Sequence, residues 1–397
     1  MFLTDGSQPR YERRISVGYY LSFICQGLSA SIFGPAMIWF ANRTHSTIAE
    51  ITPVLVCYNL GFIISSLLIA NLFDRKPGNR LIAGSICIQT IIFFGLCLVK
   101  SRWQLFLLAF IMGMGLSVID NGGNILFPWL LRERSKRPMN LVHLFYSVGC
   151  IITPFLIGLS LKRWAQPTPV FLLLAGLIIY PAILLFRLPS PRPQRDTAGT
   201  SADETDMTLP RILRAAGLFG LLLFLFSSCQ ATFNNWITTV LIRNGLANES
   251  AAAMMTSVFW AGTFTGRLLA AWFVEKRRPE QIVFCCIVIA VFDGIVMFFG
   301  RNSLILTGIC VFLNGFATGP ILANVLSIMK GRGLVSAQIN GIVLACSQLG
   351  GLLLPALFGR LYGDSTASYD PFVITTLTAS AAELIVFLLI FKNSHKV

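Results

Sequence analysis

Residues 80–99 read RLIAGSICIQTIIFFGLCLV and residues 103–130 read WQLFLLAFIMGMGLSVIDNGGNILFPWL; only Lys100, Ser101 and Arg102 separate them. Each run matches or exceeds the roughly 20 apolar residues that carry a helix across a bilayer. Three residues between them allow a tight turn and nothing more, so the pair reads as two antiparallel membrane helices. Within the second run the one ionisable side chain is Asp120.

The pattern extends over the whole chain. Apolar segments fall at about 15–40, 50–72, 80–99, 103–130, 139–163, 167–187, 211–240, 252–274, 281–300, 303–329, 335–361 and 371–391, which predicts twelve spans. Several exceed the bilayer thickness, so tilted or bent helices are expected. Composition agrees: of 397 residues, 55% are hydrophobic and 12% charged, against about 25% charged in a soluble domain. So few charges cannot coat several water-soluble units, which excludes soluble enzymes. The net charge of +14 could suggest nucleic acid, but its Lys and Arg lie in short gaps between apolar runs, where they orient a membrane protein. The ten cysteines lie almost all inside apolar segments without CxxC spacing, against a zinc site or a disulfide framework. The first 14 residues are polar and the run after them is too long for a signal-peptide core, so no cleavable leader is expected.

Placing both termini in the cytoplasm puts 22 of the 31 Lys and Arg on that side and eight on the other, with Arg267 inside a span. An odd number of spans would spoil this asymmetry. The one long connection, Leu188 to Pro210, is rich in Pro, Ser, Thr and charge and reads as a linker. The expected organisation is a six-helix bundle over 1–187, a cytoplasmic linker over 188–210 and a second six-helix bundle over 211–397. The halves echo each other at an offset near 200: Cys25-Gln26 with Cys229-Gln230, Gly115 and Asn124 with Gly315 and Asn324, and Gly149, Pro154 and Gly158 with Gly350, Pro355 and Gly359. Such parallel repeats mark one large transporter architecture. The fold class expected is an all-α membrane protein of twelve transmembrane helices in two pseudo-symmetric bundles.

The gap between spans 2 and 3, Leu72-Phe73-Asp74-Arg75-Lys76-Pro77-Gly78-Asn79-Arg80, resembles the G-x-L-x-D-R-x-G-R-R signature of the major facilitator superfamily, with Ala70 at the first Gly and one residue inserted before Gly78. The resemblance implies a gate element at Asp74 and Arg75. Asp120-Asn121-Gly122-Gly123-Asn124, followed by Asn140, His143, Phe145 and Gly149, resembles the fucose–proton symporter and sodium-dependent glucose transporter branches, as do Phe233-Asn234-Asn235-Trp236 and Gly266-Arg267. The fucose pattern has a second acid in span 1, where Gln26 is the nearest polar residue here. In this family spans 1, 4, 7 and 10 line a central cavity, so the resemblance implies that Asp120 faces a solute pathway.

A charge at the bilayer centre costs about 2.5–3.5 kcal/mol on insertion scales, so each one needs a reason. Asp120 and Asn124 lie one turn apart on one face; a carboxylate with amides beside it can take a proton or Na⁺ and bind a sugar hydroxyl. His143 shares a face of span 5 with Asn140 and Ser147, and is read either as a proton relay to Asp120 or as a neutral imidazole in a helix interface. Gln26, Asn121, Asn140, Gln230, Asn234, Asn314 and Asn340 are candidate sugar-binding amides, with Trp260 as an aromatic platform; interhelical hydrogen bonding is the competing role. Arg267 either snorkels to the interface or pairs with an acid at the gate. Asp293 and Glu383 lie in spans 9 and 12, which the resemblance implies are outer supporting helices, and each reads either as a protonated packing acid or as one near a polar interface. No GxxxxGK[ST] occurs, so ATP-driven transport is not expected.

The function expected is secondary active transport by alternating access: symport of a monosaccharide or similar small polar solute with a proton or sodium ion. No other cofactor and no metal site is expected, and the partners are the solute and the lipid bilayer, with no nucleic acid. The expected setting is a monomer in the plasma membrane, or in the inner membrane of a bacterium. Export of drugs, lipids or other amphiphiles is the alternative, and would need a more apolar cavity. A membrane receptor without solute flux is a third reading.

Overall fold

The computed structural model describes residues 10–131, 136–192, 209–273, 277–300, 302–334 and 337–392, and these contain helices and no strand. A helix or a pair of helices lies at each of the twelve expected positions. Span 1 is α1 (Arg10–Ala30) with α2 (Phe33–Arg43), bent by 44° between them. The bend falls at Ser31-Ile32. Pro35 stands four residues after Ser31, and its ring removes the donor for that carbonyl and crowds it. Span 2 is a single turn, α3 (Ile48–Ile51), followed by α4 (Pro53–Arg75). The turn starts on a capping box in which Thr47 and Glu50 satisfy each other's backbone N–H. Spans 3 to 6 are α5 (Gly78–Cys97), α6 (Arg102–Leu131), α7 (Lys136–Trp164) and α8 (Thr168–Arg187).

Spans 7 to 9 are α9 (Leu209–Arg243), α10 (Glu249–Phe273) and α11 (Pro279–Phe299). Span 10 is divided into α12 (Leu304–Thr318) and α13 (Ile321–Gly331) at Gly319-Pro320, and α14 (Ala337–Tyr362) and α15 (Tyr369–Lys392) complete the chain. Among the described residues ten helical spans are long and apolar enough to cross a membrane alone, and α1 with α2 makes an eleventh. The twelfth, α10, is long enough but carries Arg267 and several hydroxyl residues, so its apolarity falls short of the same standard. Large apolar side chains such as Leu67, Phe299 and Ile305 are more than three-quarters exposed, as lipid-facing positions require.

Contacts divide the chain into two compact units, Met1–Arg195 with Glu249–Ser257, and Asp196–Asn248 with Val258–Val397. The start of α10 thus groups with the first unit, where Ser257 donates to the Ile151 carbonyl of α7 at 2.7 Å. Within the first unit α1 packs on α7, α4 on α6 and α5 on α8; within the second, α9 packs on α14 and α11 on α15.

Glycines set the closest of these approaches. A Cβ at Gly113 would collide with the Tyr58 carbonyl, and one at Gly61 with that of Phe110. In the second unit a Cβ at Gly315 would collide with the Phe259 carbonyl and one at Gly262 with that of Phe312, which places α10 on α12 as α4 lies on α6. Gly149 against Ile24 is likewise matched by Gly350 against Phe224. The duplication is therefore real at the level of backbone contact, but two of the sequence matches are out of register. Gly113, not Gly115, corresponds to Gly315. The Gly149 and Gly350 contacts align Ile24 with Phe224, so Cys25-Gln26 and Cys229-Gln230 differ by one helical turn.

The first unit also fastens the start of the linker. Buried Asn79, at the head of α5, donates from its side chain to the Pro189 carbonyl at 2.8 Å and from its backbone to Ser190 at 3.0 Å. Tyr19 of α1 donates to the Asn79 Oδ1 at 2.6 Å. Residues 193–208, the middle of the expected linker, lie outside the described residues.

Candidate functional site

In the first unit three of the expected residues meet. Gln26 on α1 donates its amide to Asp120 Oδ1 at 3.2 Å, and Asn124, one turn along α6, donates to Oδ2 at 3.4 Å. Tyr58 of α4 lies close enough to interact electrostatically with the same carboxylate. Asp120 and Asn124 are half-buried, while Gln26 is buried and its own Oε1 has no hydrogen-bond partner. Asp120 is thus a partly exposed carboxylate where α1 and α6 meet. It is held by donors from two helices with part of its surface open. Gly122 and Gly123, just beyond it, let Ile82 of α5 and Phe23 of α1 lie directly against α6, in the space a Cβ would occupy.

Other expected residues go elsewhere. Asn121 turns toward α4: its amide donates to Ser66 Oγ at 3.2 Å and to the Ser117 carbonyl at 2.9 Å, a bond between helices and back along its own. His143 is exposed on α7 with its ring edge-on to Phe23 at 6.1 Å. The side chains of Asp74, Asn140 and Asn340 lie outside the described residues. Arg75 is exposed at the end of α4.

In the second unit Asn234 and Trp260 are joined, the indole N–H donating to Asn234 Oδ1 at 2.7 Å. Beside them Phe233 stacks on Phe259 with centroids 5.6 Å apart. Trp260 is buried, so its ring offers little open face in this arrangement. Gln230 is half-buried with an unpartnered Nε2, and Asn314 is buried with an unpartnered Oδ1. Arg267 donates from Nε to the Gly319 carbonyl at 3.2 Å, and so supports the break between α12 and α13. Two contributions were not visible in the sequence: Asn79 as the anchor of residues 188–190, and Arg267 as the partner of a carbonyl at a helix end. Each depends on a backbone group far along the chain.

The arrangement around Asp120 can bind a small cation at the carboxylate while the neighbouring amides present donors and acceptors to a polar solute. Several known proteins of similar sequence or fold are named as transporters. The chain is 21% identical over 392 residues to sodium-dependent glucose transporter 1 of Xenopus laevis, covering 92% of this chain and 79% of that protein. It is 23% identical over 396 residues to bypass of stop codon protein 6 of Saccharomyces cerevisiae, covering 90% and 79%. Its fold is similar to that of a point mutant of the nucleoside transporter NupG, with a TM-score of 0.74 at 15% identity, covering 95% of this chain and all of the other. The family model described as the Major Facilitator Superfamily matches residues 19–355. Paired spans, repeated glycine contacts and this match agree: the chain is a multi-pass membrane transporter, not an enzyme, and belongs to the Major Facilitator Superfamily.

Proposed function

We propose that the protein is a cation-coupled symporter of a monosaccharide or a similar small polyhydroxy solute. The observation that carries this reading is the Asp120 carboxylate, held by Gln26 from α1 and Asn124 from its own helix. An ionised carboxylate within the membrane is expensive, and a bound proton or sodium ion cancels its charge. Cation and solute together would remove the penalty of closing the protein around a naked charge, so the loaded form can change orientation and the half-loaded form cannot. Asn124 and Gln26 supply hydrogen bonds that a hydroxylated solute can share. In the second unit Gln230, Asn234, Asn314 and Asn340 would provide further amides, as Asn140 would on α7, and His143 would relay a proton to or from Asp120. Asp74, Arg75 and Arg267 would act where the pathway closes.

The chain would comprise two bundles, 1–187 and 211–397, and work by alternating access, with both termini in the cytoplasm, as a monomer in the plasma membrane or a bacterial inner membrane. An exporter of amphiphiles would place apolar side chains where Gln26, Asp120 and Asn124 cluster. The name of the glucose transporter relative supports the sugar class.

Thermal unfolding of the purified protein against a panel of sugars, nucleosides and amphiphiles, with and without Na⁺ and at two pH values, tests the assignment. A ligand present at 100 times its Kd stabilises the folded state by about 2.7 kcal/mol. A polyhydroxy solute should therefore raise Tm by several degrees, and more strongly with the coupling cation. Stabilisation by amphiphiles alone would overturn the reading.

A further inference from the structure

Two membrane acids have no part in the mechanism above. Asp293 on α11 and Glu383 on α15 are 1% and 2% exposed, and among the described residues neither forms an ion pair. Both Asp293 oxygens and Glu383 Oε1 have no hydrogen-bond partner. The groups that face them come from four helices of the second unit. Cys229 of α9 interacts with both acids; Ser380 of α15 lies 3.7 Å from its sulfur, and the Asn314 amide of α12 is beside it. Asp293 also faces Cys310 and Asn314 of α12 and the Tyr369 hydroxyl of α15. Glu383 also faces Cys286 of α11. Asn314 is itself 2% exposed, and its Oδ1 has no partner.

Both acids are buried among neutral groups. Thiols, a phenol and an amide can offer them weak hydrogen bonds, but none carries a positive charge to balance two carboxylates. Buried unpaired charge is far costlier than a buried neutral acid, and an acceptor left without a donor costs about 1–3 kcal/mol. One proton on each acid relieves both penalties: the charge disappears, and the new O–H can donate to an acceptor such as Asn314 Oδ1. We propose that Asp293, beside Asn314, and Glu383 are two proton-binding groups inside the second unit, distinct from Asp120. Each holds one proton, and Asn314 lies on α12 a little more than one turn before the Gly319-Pro320 break in span 10.

Infrared spectroscopy of the full-length protein in liposomes reads this directly. Measured at neutral pH in the Asp120→Asn background, the protonated-carboxyl C=O absorption should shift in part on ¹³C-carboxyl labelling of aspartate and in part on labelling of glutamate. Asp293→Asn and Glu383→Gln should each remove one component. In a step to alkaline pH, the protein without these substitutions should release two more protons per molecule than the double variant, as read by a pH indicator. The labelling arm needs no substitution at either acid, so misfolding of those variants cannot hide the answer. Absence of protonated-carboxyl absorption from either labelled residue type, or equal proton release, would overturn the proposal while leaving the role of Asp120 open.

Discussion

Asp120 shows what a single residue needs in order to persist inside a membrane: a donor from a neighbouring helix, a second donor one turn along its own, and some open surface. Its pairing with Asn124 was legible in the sequence because residues four apart share a helix face. The bond to Gln26 was legible only as a nearby polar candidate, since the rotation of α1 against α6 decides it. Asn121 shows the limit of such reading. It neighbours Asp120 in sequence but lies about 100° around the helix, and it is spent on Ser66 and Ser117. Trp260 tests the same logic in the second unit, where its N–H satisfies Asn234 Oδ1. Trp260→Phe keeps a ring but strands that acceptor. It should cost about 1–3 kcal/mol, seen as a lower Tm; an unchanged Tm would mean that the bond contributes nothing.

For the helices, the positions of the spans were readable to within a few residues because bilayer thickness sets a minimum apolar length. Their interruptions were harder to see. Pro128, Pro154, Pro181 and Pro355 lie inside continuous helices, whereas a break follows Thr318 at Gly319-Pro320 and another lies four residues before Pro35. The proline alone does not say which outcome holds; neighbouring helices decide by replacing the lost bonds. Close packing was legible only as a wealth of glycine. Without a hydrophobic drive between helices in lipid, small residues let backbones meet, and only contact geometry selects the glycines that matter. Gly113→Ala and Gly315→Ala each put a methyl onto a backbone carbonyl, Tyr58 and Phe259 respectively. Forced overpacking of this kind costs about 1–3 kcal/mol, so both variants should unfold at clearly lower temperature. Gly176→Ala meets nothing within 4 Å and should leave Tm unchanged or slightly raised. Equal Tm values for all three variants would show that these approaches are not limiting.

At the level of the molecule, the same pairings of spans recur in each unit, α4 on α6 like α10 on α12, α1 on α7 like α9 on α14, and α5 on α8 like α11 on α15. Duplication built the scaffold twice, and the chemistry then diverged. The acid of span 4 in the first unit has no counterpart in span 10, while the second unit carries Asp293 and Glu383 in spans 9 and 12. This asymmetry was visible as a list of acids in the sequence, but not their surroundings, which depend on four helices at once. The transport account rests on Asp120, and it is tested most directly by comparing two modes of transport in proteoliposomes with a solute found by thermal stabilisation. Asp120→Asn should lose accumulation driven by an imposed proton or sodium gradient and retain counterflow of labelled against unlabelled solute. Accumulation by Asp120→Asn equal to that of the unaltered protein would contradict the account.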